Sequence, residues 1–219
     1  LVATLVKTAN GQQSSETLNA AIDALSTWDF RFALESTETT LASFWGDELY
    51  KRALPLATNK KMSIYDYLNN ESAPLMLDAL EDAIKTLESS FGYWQVPWGE
   101  VNRYQRNNGD IVQQFNDSLP SLPVAFASSR WGSLASFGAR AYPGTRRLYG
   151  TSGNSFVAAV EFGERVKALA ITVGGLSNKP SSHHFSDQAE MYTRGEFRDV
   201  FFYREDIEQN AESAYHPGD

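Results

Sequence analysis

The sequence predicts an α+β chain, with a helical part at residues 1–92 followed by a strand-rich part at 93–219 that closes on a helix. Three observations predict it. Apolar residues recur at spacings of three and four through the first ninety positions, the period of a helix with one buried face. The pattern stops at Gly92, where glycine, proline and aromatic residues crowd together. From Phe156 an alternation of period two takes over, the signature of a strand.

The elements follow in order. Leu18, Ile22, Leu25 and Trp28 form one helical stripe, with Ser15 placed to cap it. Leu41, Phe44, Trp45 and Leu49 repeat the stripe after Ser36 or Thr37, and Pro55 is expected to stop that helix. The clearest helix follows Ser72: Leu77, Leu80, Ile84, Leu87 and Phe91 share a face, and Gly92 stands where a C-terminal glycine belongs. Met76 and the aromatic residues here are expected core. Three amphipathic helices joined by short connections imply a packed helical layer.

The texture then changes. Tyr93 to Gly99 is aromatic and helix-breaking, and Asn107-Asn108-Gly109-Asp110 is a turn signal. Ser118 to Pro123 reads as a loop, each proline pushing its predecessor toward extended geometry. A soft organisational boundary is expected near 92–110. Phe156, Ala158, Val160 and Phe162 alternate with Val157, Ala159 and Glu161, and Gly163-Glu164 is expected to make a tight hairpin turn. The return strand, Val166 to Val173, is apolar at nearly every residue after Lys167, as in strands covered on both faces. The sheet is therefore expected to be sandwiched between other layers, not all of them supplied by these residues. Ser186 is expected to cap a helix from Asp187 to Arg194 that Gly195 ends. Val200 to Tyr203 should be a strand, and Ile207, Ala211 and Ala214 mark a last helix stopped by His216-Pro217-Gly218.

Composition excludes several classes of function. Hydrophobic content of 42% and aromatic content of 13% argue against disorder. The formal charge is −8 and no Lys/Arg-rich run exists, so nucleic acid is not an expected partner. Residues 1–100 carry 7 basic and 14 acidic residues, a surplus expected on a solvated helical face. The absence of cysteine removes disulfides, thiolate zinc sites and a thiol nucleophile from these residues. No apolar run is long enough to span a bilayer, so no membrane partner is expected. No signal segment is visible, and Leu1 to Val6 reads as an element entered mid-course, as in a processed or truncated product.

Spacing alone assigns no catalytic, cofactor-binding or metal-binding residue. The three histidines, His183, His184 and His216, lie near the end. Gly150-Thr151-Ser152-Gly153 places its second glycine one residue early for a nucleophile elbow, and a strand follows where a helix is needed, so a turn after Tyr149 is expected. His183 and His184 point to opposite sides of an extended chain and suit no common metal; one of them is expected to bond the following helix start or a loop carbonyl. Gly174-Gly175 lacks the phosphate-loop continuation and suits a sharp exit from the sheet. Arg130, Arg140, Arg146 and Arg147 fall near strand ends, where ion pairing and edge protection compete with a substrate-carboxylate clamp. Asp206 is read as a helix cap.

Ordered pieces of the chain resemble one family. They are Leu25-Ser26-Thr27-Trp28-Asp29; Gly150 to Phe156 leading into a hairpin; Gly175-x-Ser177 followed by Pro180, Ser182, His184-Phe185 and Asp187-Gln188-x-x-x-Tyr192; then a strand, an Asp-Ile helix start and Tyr215-His216-Pro217-Gly218. In this order they resemble the C-terminal portion of the large subunit of penicillin-acylase-type amidohydrolases, the N-terminal-nucleophile (Ntn) acylases. Two positions depart from the family pattern, Asn178 where glycine is usual and His183 where proline is usual.

The resemblance implies a bacterial, exported enzyme, with periplasmic location, built on a four-layer αββα sandwich and cut autocatalytically into two subunits. Its freed N-terminal serine, cysteine or threonine attacks a linear amide, with the α-amino group as base; that amine's pKa near ~8 suits neutral pH. The implied substrates are N-acyl compounds such as β-lactams or acyl-homoserine lactones, which would place the activity in antibiotic modification or quorum quenching. The implied partner is the remaining acylase chain or chains carrying the nucleophile, and no cofactor is implied. None of the family's catalytic positions maps onto these residues, Asn102 and Asn154 included. A non-catalytic structural or binding module with an acylase-like tail is the rival reading.

Overall fold

The computed structural model describes residues 1–154, 156–214 and 216. It divides into two compact units, Leu1–Gly153 and Asn154–Asp219. The change from helix to strand after Gly92 falls inside the first.

In the first unit, α1 (Val2–Ala9), α2 (Glu16–Thr27), α3 (Thr37–Asn59), α4 (Ile64–Asn70) and α5 (Met76–Phe91) form the helical part. The expected caps are in place. Ser15 Oγ accepts from Leu18 N at 3.1 Å and Ser36 Oγ from Thr39 N at 3.0 Å. Gly92 ends α5 at φ 91°, a conformation only glycine adopts without strain. Most of the predicted stripes are core: Leu18, Ile22 and Leu25 of α2, Leu41, Trp45 and Leu49 of α3, and Met76, Leu80, Ile84 and Leu87 of α5 are buried, while Trp28, Phe44, Leu77 and Phe91 are half-buried. Trp45 Nε1 donates to Met76 O at 3.0 Å, pinning α3 to the start of α5 and satisfying a buried indole.

One expectation fails here. Pro55 does not stop α3, which runs four residues further to Asn59. Proline removes one ladder bond. Ala53 and Ala57 on either side are fully packed, and the bond from Lys60 N to Leu56 O continues the last turn, so packing outweighs the lost bond. The short α4, capped by Ser63, carries too few residues for its period to register.

A four-stranded sheet completes this unit, with β1 (Asn102–Tyr104), β2 (Leu122–Pro123), β3 (Phe137–Arg140) and β4 (Leu148–Gly153) in the order β2-β1-β4-β3. A short α6 (Trp98–Val101) feeds β1 out of the aromatic stretch. Pairing is antiparallel for β1 with β2 and for β3 with β4, and parallel for β1 with β4. Pro123 sits on edge strand β2, where a missing N–H costs least. The expected turn after Tyr149 is instead strand, since Thr151 to Gly153 belong to β4, where Ser152 and Gly153 pair with Gly138 and Phe137 of β3 and the register skips Thr151.

The second unit is built on an antiparallel sheet, β5 (Phe156–Glu161), β6 (Lys167–Thr172) and β7 (Arg198–Asp199), in that order. The hairpin pairs from Phe156 opposite Thr172 to Glu161 opposite Lys167. Its connection spans residues 162–166, longer than the tight turn expected. The predicted strand at Val200 is shorter and earlier, though Val200 N still donates to Ala168 O at 2.9 Å. Helix α7 (Ala189–Arg194) ends at Gly195 as expected but starts later, with no side-chain cap from Ser186. Helix α8 (Arg204–Asn210) follows. The sheet is open within this unit: Phe156 is 63%, Val160 46% and Phe202 70% exposed, while Ala170 and Ile171 are buried.

Candidate functional site

The motif from Gly174 to Tyr192 folds into a knot between β6 and α7. Gln188 closes it twice: its N donates to Gly174 O at 2.8 Å, and its Oε1 accepts from Thr172 N at 3.0 Å. Ser177 N donates to His184 O at 3.0 Å, and Ser182 Oγ accepts from His184 N at 3.2 Å. Phe185 and Tyr192 are buried beneath the loop. Gly175 is dictated by space, because a Cβ there would lie 2.2 Å from His184 O and 2.8 Å from Asp187 Oδ1.

The chemical centre of the knot is His184 Nδ1 against Asp187 Oδ2 at 2.8 Å. Bonding to His184 holds the Asp187 carboxyl below the usual carboxylate range, with His183 and Arg198 adding to the effect. The His184 ring is 68% exposed. Among the described residues no hydroxyl bonds that ring, so the pair is not wired to a nucleophile. The pair therefore fastens the loop. This bond to Asp187, just before α7, fits the expectation that one histidine ties to the following helix.

The sign of its pH dependence follows from the lowered carboxyl. The contribution is fully present above the unfolded carboxylate value, near ~3.9, and is lost as pH falls through the lower folded value. Asp187→Asn should therefore flatten the acid limb of stability below about pH 4 and lower stability by a constant amount at higher pH. Acid-unfolding curves read by hydrogen exchange over residues 172–192 measure it, and an unchanged acid limb would contradict the assignment.

The other residues weighed from sequence lie apart from this pair. Ser152 is in β4, with no base beside it among the described residues. Arg130 reaches Asp47 at 3.4 Å and stacks over Tyr50, with its guanidinium carbon 4.1 Å from the ring centre. Arg140 lies over Tyr142 and Arg146 over Phe91. Arg147 Nη1 donates to Asp117 O at 3.1 Å. These arginines brace their own unit and do not converge on one clamp. Asp206 does not cap α8. Its carboxylate takes Arg165 Nη2 at 2.7 Å, while Glu205 takes Nη1 at 2.7 Å. Asn102 is fully buried, donating to Val124 O at 2.7 Å and Phe126 O at 2.8 Å. Asn154 and His216 are exposed. Among the described residues no three His, Asp or Glu side chains gather as a metal cluster, and no helix is long and apolar enough to cross a membrane.

What this arrangement defines is a class of structure, an α+β chain of two compact units with mixed helix and sheet. The family model described as penicillin amidase matches residues 1–209. The chain belongs to the penicillin amidase family. Among solved structures it is similar to a thermostable penicillin G acylase from Alcaligenes faecalis, with 16% identity and a TM-score of 0.46 over 98% of this chain. The chain spans 45% of that chain's length.

Proposed function

We propose that these residues are the C-terminal portion of the large subunit of an N-acyl amide hydrolase, of the penicillin or acyl-homoserine-lactone acylase type. The observation that carries this reading is the penicillin amidase match across residues 1–209. The reacting nucleophile is placed outside residues 1–219, on a freed N-terminal serine, cysteine or threonine. Its own α-amine takes the proton as the hydroxyl or thiol attacks the amide carbonyl, and backbone N–H groups and an asparagine side chain stabilise the oxyanion.

In this reading the chain supplies part of a four-layer αββα core. The open faces of β5 and β6 support that role, since Phe156, Val160 and Leu169 hold exposed apolar surface that a covering layer would remove from water. The partner is the acylase chain or chains bearing the nucleophile. The setting is the bacterial periplasm, after autocatalytic processing, and the substrate is a small N-acyl compound.

The test is an assay of the whole protein that contains this chain, with mass analysis of every polypeptide present. N-acyl β-lactam and N-acyl-homoserine lactone panels should release free amine and acid, and replacing the nucleophile with alanine should abolish release. Assembly without release from any N-acyl substrate would overturn the reading in favour of a non-catalytic module.

A further inference from the structure

The turn signal at 107–110 forms an exposed bend that carries an Asn-Gly pair, Asn108-Gly109. The base of this loop is clasped, since Gln105 Nε2 donates to Asn116 O at 2.9 Å and Gln105 Oε1 accepts from Asn116 N at 3.0 Å. At the tip the Asn108 amide is held on both ends. Asp110 N donates to its Oδ1 at 3.1 Å, and Gln113 Nε2 donates to the same oxygen at 3.0 Å. Its Nδ2 donates to Asp110 Oδ2 at 2.9 Å. The orientation of the amide follows, because a backbone N–H can only donate.

This arrangement favours an attack within the chain. The bond from Asp110 N closes an Asx turn, a ring that contains both the Asn108 Cγ and the Gly109 nitrogen. Electrophile and nucleophile are thereby kept side by side. The two donors on Oδ1 draw electron density from Cγ and stabilise the negative charge that forms on the oxygen when Cγ is attacked. Glycine brings no Cβ to crowd the attacking nitrogen.

We propose that Asn108 is a self-modification site that converts to aspartate and isoaspartate. The Gly109 nitrogen gives up its proton to solvent and bonds to Cγ. The Cγ–Nδ2 bond breaks, and the leaving nitrogen takes a proton from solvent and departs as ammonia, so a five-membered imide remains. Water then adds to one of the two imide carbonyls and breaks its bond to the Gly109 nitrogen. Opening at Cγ gives aspartate, and opening at the backbone carbonyl gives isoaspartate. Either product sets a carboxylate against Asp110 where an amide had donated, so the tip is pushed open while the Gln105 clasp stays. The site uses residues of this loop alone and does not rest on the acylase reading.

Two other asparagines serve as comparisons within the same chain. Asn10 also precedes a glycine, but the nitrogen two residues on, Gln12 N, donates to Ala9 O at 3.1 Å instead. Asn116 has the Asx turn, accepting from Ser118 N at 2.8 Å, but precedes Asp117, whose carboxylate is tied to Arg146 N and Tyr149 Oη.

The test is to incubate the whole protein that contains this chain at mildly alkaline pH and map its peptides by mass spectrometry over time. The Asn108 peptide should gain the mass of an NH2-to-OH exchange and accept isoaspartate-specific methylation. Asn10 and Asn116 should lag about tenfold or more, each lacking one half of the arrangement. Gln113→Ala, which removes one donor from Oδ1, should slow conversion roughly three- to tenfold, the worth of one hydrogen bond. Gly109→Ala should fold normally, because this glycine takes no positive φ, and should nearly stop conversion. An Asn108 peptide that stays unmodified, Asn10 or Asn116 converting as fast, or an unchanged rate in either variant would each overturn the proposal.

Discussion

Gly175→Ala is expected to dismantle the knot between β6 and α7. The new methyl would stand 2.2 Å from His184 O and 2.9 Å from His184 C, both backbone atoms. That carbonyl cannot withdraw freely, because it accepts from Ser177 N at 3.0 Å and its residue also bonds Asp187. Backbone overpacking of this kind, with a hydrogen bond lost alongside, costs about 3 kcal/mol. Amides of residues 172–192 should exchange much faster in the assembled protein. Gly195→Ala is the control: at φ 68° with nothing within 4 Å of the added carbon, it should cost only about 1 kcal/mol of left-handed strain. Equal effects from the two substitutions would refute the crowding argument.

The second large effect is expected from Leu80→Ala in the helical core. Leu80 is fully buried on α5, on the face shared with Leu87 and Ile84. Truncation there removes buried methyl groups and leaves a cavity among close-packed helices, a loss of about 3 kcal/mol. Leu77, partly exposed on the same helix, should lose about 1 kcal/mol on the same change. All five tryptophans lie within Leu1–Gly153, so their fluorescence reports this unit. Leu80→Ala should shift that transition, and Gly175→Ala should leave it in place. A fluorescence midpoint unmoved by Leu80→Ala would show that α5 is not central to the core.

The two substitutions also mark how far the sequence could be read. Leu80 was visible as core because a helix repeats its buried face every three to four residues, and that period is written locally. Ser15, Ser36 and Gly92 were visible for the same reason, since a cap satisfies backbone groups within its own few residues. Pro55 misled because its local cost was set against burial of Ala53 and Ala57, which depends on neighbouring helices. The sheet β2-β1-β4-β3 was missed for a related reason: its strands are two to six residues long, and β1 finds its parallel partner more than forty positions away.

The candidate site divides along the same line. The spacing of Gly175, His184 and Asp187 made the motif recognisable, but not that a carbonyl and a carboxylate occupy the space a side chain at Gly175 would need. Asn102 was only one asparagine among several until Val124 and Phe126 claimed its amide hydrogens. By itself the sequence determined the buried stripes of α2, α3 and α5, the caps at Ser15, Ser36 and Gly92, a hairpin after Phe156 and the family resemblance, all carried by neighbours along the chain. The parallel strand pair, the passage of α3 through Pro55, the crowding around Gly175 and the bonds around buried Asn102 were decided only by tertiary structure. Each depends on atoms from distant stretches meeting at van der Waals distance, and no local period encodes that meeting.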